Sequence, residues 1–384
     1  MTIRKSLAMV TAAVTLLAIA SASGVVYAAP AEISPAATIT LTGYPVSGVL
    51  AIDADRMYVS VRKHHADGSP TTGEVDVIDT LTNTVLSRIP VGVSPTNLSI
   101  NAAGTRVYVP NAGDGTVSVI DTKSSAVIAT VATGGTPLYA VVNPSGTKVY
   151  VPGGATNIVS VIDAATNTVS ATIATEPHPQ VVTFSADGSK AYLTARDVDA
   201  IQVIDTATAS ITATIPVGKG PIRVVLDRKG SLIFVPNYGG DSVSVIDVKT
   251  NKVIRTVPVG DGPISPVVDP AGNRMWVGNS RAGTVSEIDL RRLDRKKVVV
   301  RTIEVGKTPY FALLNALGDS LYIANNGSGT MSGICTATGK VTQMYHTGAK
   351  PRVLLGGLAL YSIDWEGNDV SVFTATALGK GACS

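Results

Sequence analysis

The histidines are the side chains of this sequence best suited to acid–base or metal chemistry near neutral pH, because an imidazole exchanges its proton in that range. The candidate catalytic or metal-ligating residues are His64, His65, His178 and His346. The adjacent pair His64 and His65 does not have the spacing typical of a metal site. We therefore predict no cofactor. A divalent metal ion at the histidines is one alternative, and ordinary solvated loop histidines are another.

A second group of residues has the chemistry for binding an anion. A guanidinium can donate two parallel hydrogen bonds to a carboxylate or a phosphate group. The candidate ligand-binding residues are Arg196, Arg223, Tyr238, Arg281, Tyr310 and Arg352. The alternative is that these side chains line a water-filled space and bind nothing.

One dense run of positive charge, RRLDRKK at 291–297, has the charge to hold an anionic polymer. Its basic residues are Arg291, Arg292, Arg295, Lys296 and Lys297. No aromatic residues accompany them, so the run does not favour stacking against single-stranded nucleic acid. A solvated loop is the alternative. The sequence contains no HExxH, GxSxG, phosphate-loop or CxxC motif, so no catalytic signature supports an enzyme.

The start of the chain has the layout of a secretory signal peptide. The charged residues Arg4 and Lys5 precede an apolar run at 7–20, which is followed by small residues. We predict a signal peptide over 1–28 and a mature domain over 29–384, with an uncleaved membrane anchor as the alternative. The mature chain has no transmembrane segment. It is also nearly neutral, so its net charge does not indicate a nucleic-acid partner.

A repeat of 42 residues must position these candidate side chains. An aspartate ends the same strand phrase, V-S-V-I-D or a variant, in six successive units: Asp79, Asp121, Asp163, Asp205, Asp247 and Asp289. An aromatic residue and a turn glycine repeat in step with it. Only strand signals occur within the period, and one unit alone would expose its apolar faces. The pattern therefore predicts an all-β fold, a single β-propeller of stacked four-stranded blades.

One unit shows the four strands of a blade most clearly. Strands A to D are expected at 96–101, 106–110, 116–121 and 126–132. In strand C, valines alternate with Thr116 and Ser118, which is typical of a half-buried strand. Asp121 suits the turn that follows, because its carboxylate can accept hydrogen bonds from backbone N–H groups just ahead.

The last unit has no fourth strand of its own. The N-terminal part of the mature chain offers ATITLTG at 37–43, which resembles the strand-D phrase ATIPVG at 213–218. We predict that this segment completes the C-terminal blade, so that eight blades close as one ring. Seven blades with an irregular flank is the alternative.

Strand B repeats a characteristic phrase, VYVPN at 107–111, FVPN at 234–237 and YIAN at 322–325. In these residues the chain resembles the YVTN β-propeller family, and the resemblance extends over essentially the whole mature chain. It implies an exported protein of the periplasm, cell surface or medium, often surface-layer-like. The motif is structural, so the resemblance implies no catalytic residue.

The order of strands in a blade decides which loops share a rim of the ring. The D–A and B–C loops lie on one rim, which then holds all four histidines. The A–B and C–D loops lie on the other rim, with the basic run at 291–297 and with Cys335 and Cys383. Two cysteines in an exported chain favour one disulfide, which would staple the ring closure; two free thiols are the alternative.

These observations favour a monomeric, exported binding or scaffold protein of the cell envelope. Its rim loops would engage a macromolecular or anionic ligand: an envelope protein, an anionic polymer or a small molecule. The alternative function is a hydrolase or lyase that acts on a small molecule at the histidine-bearing mouth of the propeller. The fold alone does not decide between binding protein and enzyme.

Overall fold

Strands make up more than half of the described residues, and the turns and loops that join them make up nearly all of the rest. The computed structural model describes residues 29–51, 55–65, 67–357, 359–374 and 382–383. The predicted signal peptide at 1–28 lies outside these residues. Within them the strands form eight sheets packed side by side as the blades of one propeller ring, which confirms the predicted eight-bladed fold. No helix among the described residues is long and apolar enough to cross a membrane.

Each blade has four antiparallel strands, A to D, from the inside of the ring to the outside. The A strands are Tyr44–Ala51, Ser99–Ile100, Val141–Val142, Pro179–Phe184, Val225–Leu226, Pro263–Val268, Pro309–Leu314 and Pro351–Gly356. The B strands are Arg56–His64, Arg106–Asn111, Lys148–Pro152, Lys190–Ala195, Leu232–Asn237, Arg274–Asn279, Ser320–Asn325 and Ala359–Asp364. The C strands are Pro70–Asp79, Thr116–Asp121, Ile158–Asp163, Ala200–Asp205, Ser242–Asp247, Thr284–Asp289, Thr330–Cys335 and Asp369–Thr374. The D strands are Thr84–Val93, Ala126–Ala132, Thr168–Ala174, Ser210–Pro216, Lys252–Pro258, Val299–Glu304, Lys340–His346 and, for the eighth blade, Ala37–Thr40. Single 3₁₀ turns are formed by Arg196–Val198 and Leu290–Arg292.

Strands B and C are buried on both faces, because a neighbouring blade covers each side. In the second blade Val117, Ser118 and Val119 are all at most 2% exposed. The expectation of a half-buried strand C is therefore wrong, since the small serine is accommodated inside the interface between blades. Only the outer strands, such as Ala126–Ala132, alternate between exposed and partly buried residues.

The final asparagine of the strand-B phrase ties strand B to strand C. Asn111 Nδ2 donates hydrogen bonds to Thr116 Oγ1 at 3.0 Å and to Ser118 Oγ at 2.9 Å. The equivalent asparagines with the same pair of bonds are Asn237, Asn279 and Asn325. A turn glycine lies against each of them: a Cβ on Gly218 would be only 2.4 Å from Asn237 Nδ2. The asparagine and the glycine therefore occur together.

The fourth blade replaces this whole arrangement. Glu176 stands in the place of the turn glycine, Ala195 in the place of the asparagine, and Gln202 in the place of the serine. The backbone N–H of Glu176 donates to Gln202 Oε1 at 3.0 Å. The longer glutamine thus makes a bond across the space that the missing asparagine would fill. The replacement of the turn glycine by Glu176 is therefore compensated by the hydrogen bond to Gln202.

The aspartate at the end of strand C closes the C–D turn, as predicted. Asp163 Oδ1 accepts hydrogen bonds from the backbone N–H groups of Ala165 and Thr166, both at 3.0 Å. Lys148 Nζ donates to the other carboxylate oxygen at 2.8 Å. The bonds from Lys148 and from the turn backbone lower the pKa of Asp163 to about 2.

The ring closes where the two ends of the chain meet. Ala37–Thr40 pairs antiparallel with Asp369–Thr374 and completes the eighth blade, as predicted. A further strand, Ala31–Ile33, was not predicted: it pairs in parallel with Lys340–His346 and adds a fifth strand to the seventh blade. The N-terminal segment therefore contacts the outer edges of the last two blades.

The C-terminal segment is fastened to the seventh blade. Cys335 and Cys383 form a disulfide across a sequence separation of 48, as predicted. Beside it, Thr342 Oγ1 donates to the carbonyl of Ala382 at 2.6 Å, and the N–H of Ala382 donates to Ser320 Oγ at 3.0 Å. Ala31–Ile33 and the segment of Ala382 and Cys383 are thus attached to the same blade.

Candidate functional site

Two arginines meet at one tryptophan where the eighth and first blades adjoin. Arg352, near the start of strand A of blade 8, has its Cζ 4.0 Å from the ring centroid of Trp365. Arg62, near the end of strand B of blade 1, has its Cζ 5.5 Å from the same ring. Trp365 lies in the B–C turn of blade 8, on the rim that the D–A loops share. Arg352 is also 5.6 Å from the ring of Tyr310 in blade 7. The structure therefore places the predicted residues Arg352 and Tyr310 in one cationic and aromatic cluster.

Positive charge is concentrated in this cluster. Burial lowers the pKa of Arg62, and the charge of Arg352 lowers it further. Arg62 Nε donates to the carbonyl of Pro95 at 3.0 Å, which orients the guanidinium. Among the described residues no carboxylate forms an ion pair with Arg62 or Arg352. The nearby Glu366 is paired with Lys350 instead.

An extended hairpin of the first blade forms a cavity beside this cluster. Strands Arg56–His64 and Pro70–Asp79 are longer than their counterparts, and they pair out to His64 opposite Pro70. The cavity has a volume of about 480 Å³. Its lining residues are Tyr44, Arg62, His64, His65, Gly68 and Trp365. The predicted histidines His64 and His65 thus share a cavity with one arginine of the cluster.

The histidines otherwise have separate partners. The ring of His64 meets the edge of Tyr44 at a centroid distance of 5.4 Å. His178 Nδ1 bonds to Asp197 Oδ2 in blade 4, and His346 Nε2 lies 2.8 Å from Glu32 Oε2 of the added strand. Within the described part of the chain, no three His, Cys, Asp or Glu side chains gather as a metal site.

The other predicted ligand-binding residues lie outside the cluster. Arg281 pairs with Asp261 at 2.9 Å and stacks on Tyr238 at 4.3 Å, so its charge is already compensated. Arg223 has its Cζ 5.8 Å from the ring of Phe311, an inner-strand residue of blade 7. The exposed Arg196 begins the 3₁₀ turn of blade 4. The structure does not bring these arginines to Trp365.

The predicted basic run is divided by its own ion pairs. Arg291 Nη2 and Arg292 Nε lie 2.8 and 3.5 Å from Asp289 Oδ2. Arg295 is paired with Asp294 at 3.6 Å. The remaining two, Lys296 and Lys297, line a groove of about 390 Å³ on the outer side of the ring, together with Arg255 and Arg301.

Sequence reasoning missed Arg62, Trp365 and Tyr44. The available signal was departure from the repeat. In blade 8 the final asparagine of strand B is replaced by Asp364, and Trp365 is the next residue. In blade 1 the same asparagine is replaced by Val61, and Arg62 is the next residue. Only the closed ring brings the first and last repeats side by side, so no spacing along the chain connects these residues.

The fold and this cluster define an eight-bladed β-propeller with a cationic mouth at its closure. The family model of the choice-of-anchor I domain matches residues 5–231, more than half of the chain, and the chain belongs to that family. A model of the YNCE-like β-propeller matches residues 181–359. Both matches support a β-propeller family, and the YVTN label stays a prediction. No curated protein matches the sequence.

Solved structures with the same architecture include proteins of several kinds. A hydrazine synthase of Kuenenia stuttgartiensis is 22% identical with a TM-score of 0.61, covering 77% of this chain and 96% of that one. The dihydro-heme d1 dehydrogenase NirN, solved in complex with DHE, is 14% identical with a TM-score of 0.67, covering 82% and 78%. A functionally unknown protein from Desulfotomaculum acetoxidans DSM 771 is 15% identical with a TM-score of 0.59, covering 84% and 99%. At these identities the likeness concerns the fold alone.

Proposed function

We propose that this protein is an exported binding protein that holds a polyanionic small molecule at the mouth between blades 8 and 1. The observation that carries the proposal is the pair Arg62 and Arg352, which face one indole ring without a carboxylate partner among the described residues. Two guanidiniums held together in a partly buried place repel each other. A bound anion would remove that repulsion.

The chemistry of the site favours a ligand with more than one carboxylate or phosphate group. Each guanidinium can form a bidentate pair with one such group. The indole of Trp365 and the ring of Tyr310 offer flat surfaces beside the charges. A planar, multiply charged ligand would use both features. The cavity beside Arg62 has room for such a molecule.

Calorimetric titration with benzene-1,3,5-tricarboxylate, citrate and phosphate tests the proposal. The aromatic tricarboxylate should bind tightest, and the paired changes Arg62→Gln and Arg352→Gln should weaken binding at least tenfold. Arg281→Gln is the matched control, because Arg281 is paired with Asp261 outside the cluster. Equal affinity in the control and the double variant would exclude the mouth as the site.

Export is part of the same proposal. The signal-like start at 1–28, the disulfide between Cys335 and Cys383, and the match to a choice-of-anchor domain support an extracellular location. Expression of the full chain with its own N-terminus tests it. The measured mass of the mature protein should equal that of a chain that begins at Ala29 and has its two cysteines oxidised. An intact N-terminus in the cytoplasmic fraction would contradict export.

A second candidate function is hydrolysis or elimination on a small anionic substrate. The observation that favours it is that His64 and His65 line the same cavity as Arg62, so a base and an anion-binding group share one space. Turnover of anionic ester substrates that falls at least a hundredfold in His64→Gln with His65→Gln, while tricarboxylate affinity is unchanged, would establish the enzyme. Absence of turnover leaves the binding function.

A further inference from the structure

A basic groove runs between the outer strands of blades 5 and 6, on the side of the ring away from the mouth cluster. Its volume is about 390 Å³. Four cationic residues line it: Arg255, Lys296, Lys297 and Arg301. The apolar lining consists of valines and one proline, and no acidic residue lines it. The groove therefore combines an apolar floor with one sign of charge.

The enlarged C–D connection of blade 6 builds this groove. After the 3₁₀ turn at Leu290–Arg292 the chain crosses towards blade 5 before strand Val299–Glu304 begins. Arg255 of blade 5 holds it there, since its Nη2 donates to the carbonyls of Arg295 at 2.9 Å and Lys296 at 3.3 Å. The groove is thus a fixed part of the surface.

The charges of the groove are only partly compensated. Arg301 Nη1 lies 3.3 Å from the buried carboxylate of Glu287, which also pairs with Arg274. Lys296 and Lys297 are exposed and have no acidic partner among the described residues. A ligand with carboxylates would find two uncompensated ammonium groups beside the valines.

The groove also presents unpaired strand edges. Val299–Glu304 and Lys252–Pro258 are the last strands of their sheets over the described residues. Blade 7 demonstrates what such an edge accepts: the extended segment Ala31–Ile33 pairs with its outer strand, and Glu32 of that segment bonds to His346. An outer edge of this propeller therefore binds a short extended segment that carries a carboxylate.

We infer that the groove binds an extended acidic segment of a partner protein, which adds as a fifth strand to Val299–Glu304. Side chains of the segment pack on the partly exposed Val300, and the carboxylates lie against Lys296 and Lys297. Backbone pairing supplies affinity and the charges select acidic sequences. This surface is separate from the mouth, so the two proposals stand or fall independently.

The test uses a fluorescein-labelled peptide of alternating valine and glutamate and measures binding by anisotropy. The double change Lys296→Glu with Lys297→Glu should weaken binding at least tenfold. The double change Lys123→Glu with Lys249→Glu is the matched control, because these exposed lysines do not line the groove; it should leave the affinity within twofold. Thermal unfolding of each variant checks that the fold is retained.

N-methylated peptides separate strand addition from simple charge attraction. An added strand uses the N–H groups of alternate residues on one edge, so methylation of one alternate set should abolish binding and methylation of the other should be tolerated. Equal binding of both methylated peptides would overturn the proposal. Tight binding of polyphosphate with no binding of the peptide would also overturn it, and would assign the groove to an anionic polymer.

Discussion

The regular blades and the closure of the ring hold their strands together with different chemistry. In blades 2, 5, 6 and 7 a neutral asparagine on strand B donates to serine and threonine on strand C. In blade 8 the asparagine is replaced by the buried Asp364, which accepts from Ser362 at 2.6 Å and from Ser371 at 2.7 Å. In blade 1 the serine is replaced by the fully buried Asp76. Buried carboxylates thus occur in both of the blades that adjoin at the ring closure, blades 8 and 1.

The buried carboxylates make the closure sensitive to charge. Burial, together with the neighbouring carboxylate of Glu74, raises the pKa of Asp76 to about 7. Arg88 Nε is 3.7 Å from Asp76 Oδ2, so it compensates only partly. Burial likewise raises the pKa of Asp364. The comparison teaches that blades 8 and 1, where Arg62 and Trp365 form the mouth cluster, hold a buried aspartate at positions where the regular blades have asparagine or serine.

Removing the disulfide should have the largest effect on stability. The bond between Cys335 and Cys383 closes a loop of 48 residues beside the closing blade, and the loop-entropy relation gives about 4 kcal/mol for that length. Urea unfolding of the double variant Cys335→Ala with Cys383→Ala should show a loss of that size. Reduced wild-type protein is the control and should unfold like the variant. An unchanged urea midpoint would mean that the stability of the ring closure does not depend on this disulfide.

The dependence of stability on pH should contain a contribution from the closing blades and another from the regular blades. A carboxyl whose pKa is raised by folding loses its stabilising effect as the pH rises from its ordinary value of 3.8 towards about 7, as for Asp76. A carboxyl whose pKa is lowered to about 2, as for Asp163, loses its effect as the pH falls below about 4. Stability should therefore be greatest near pH 4 and should fall by up to about 4 kcal/mol towards pH 7.

Two single variants show which carboxyl group causes each slope of this pH profile. In urea midpoints measured from pH 2 to pH 8, Asp76→Asn should flatten the slope above pH 4. Asp163→Asn should flatten only the slope below it. A stability that rises steadily from pH 4 to pH 7 in the wild-type protein would show that the closing carboxylates are not buried as described.

Exchanging asparagine and aspartate between the two regions should change stability in opposite directions. Asn237→Asp places a buried carboxylate in a regular blade and should cost about 2 kcal/mol at pH 8. Asp364→Asn removes a buried carboxylate from the closing blade and provides an amide that can donate to Ser371. The free energy of unfolding should therefore rise by about 1 kcal/mol. Urea unfolding at pH 8 measures both. Effects of the same sign would refute the contrast between the regions.

A double-mutant cycle should show that glycine and asparagine act as a pair in the regular blades. Gly218→Ala alone forces a Cβ against Asn237 and should cost about 2 kcal/mol. Combined with Asn237→Ala, the cost of the glycine change should shrink by about 1 kcal/mol, because the two closest atoms, Nδ2 and Cγ of Asn237, are then absent. Blade 4, with Glu176 and Ala195, is the natural example of that combination. Strict additivity of the two changes in urea unfolding would argue against the pairing.

The sequence predicts the regular blades well because the four strands that pair in each of them lie within one repeat. Strand C at Thr116–Asp121, the turn at Asp121 and the closing strand Ala37–Thr40 follow from local patterns. The parallel addition of Ala31–Ile33 does not, because a three-residue segment has no periodicity of its own.

The candidate site is less predictable than the fold for a related reason. Arg352 and Tyr310 could be selected from their chemistry, but Arg62 and Trp365 come from opposite ends of the chain. The predicted ring closure places blades 1 and 8 side by side, but no sequence pattern indicates which of their side chains meet. The same applies to the bond between His178 and Asp197, which joins a D–A turn to a B–C turn.

Tryptophan fluorescence tests the central claim, an anion site at the ring closure, most directly. The chain has two tryptophans, and Trp276 is buried in a regular blade. In a Trp276→Phe protein the emission therefore reports on Trp365 alone, beside Arg352. Titration with benzene-1,3,5-tricarboxylate should shift that emission saturably, and the shift should disappear when Arg62→Gln and Arg352→Gln are added. An emission that does not respond to the tricarboxylate, or that responds equally without the two arginines, would contradict the account.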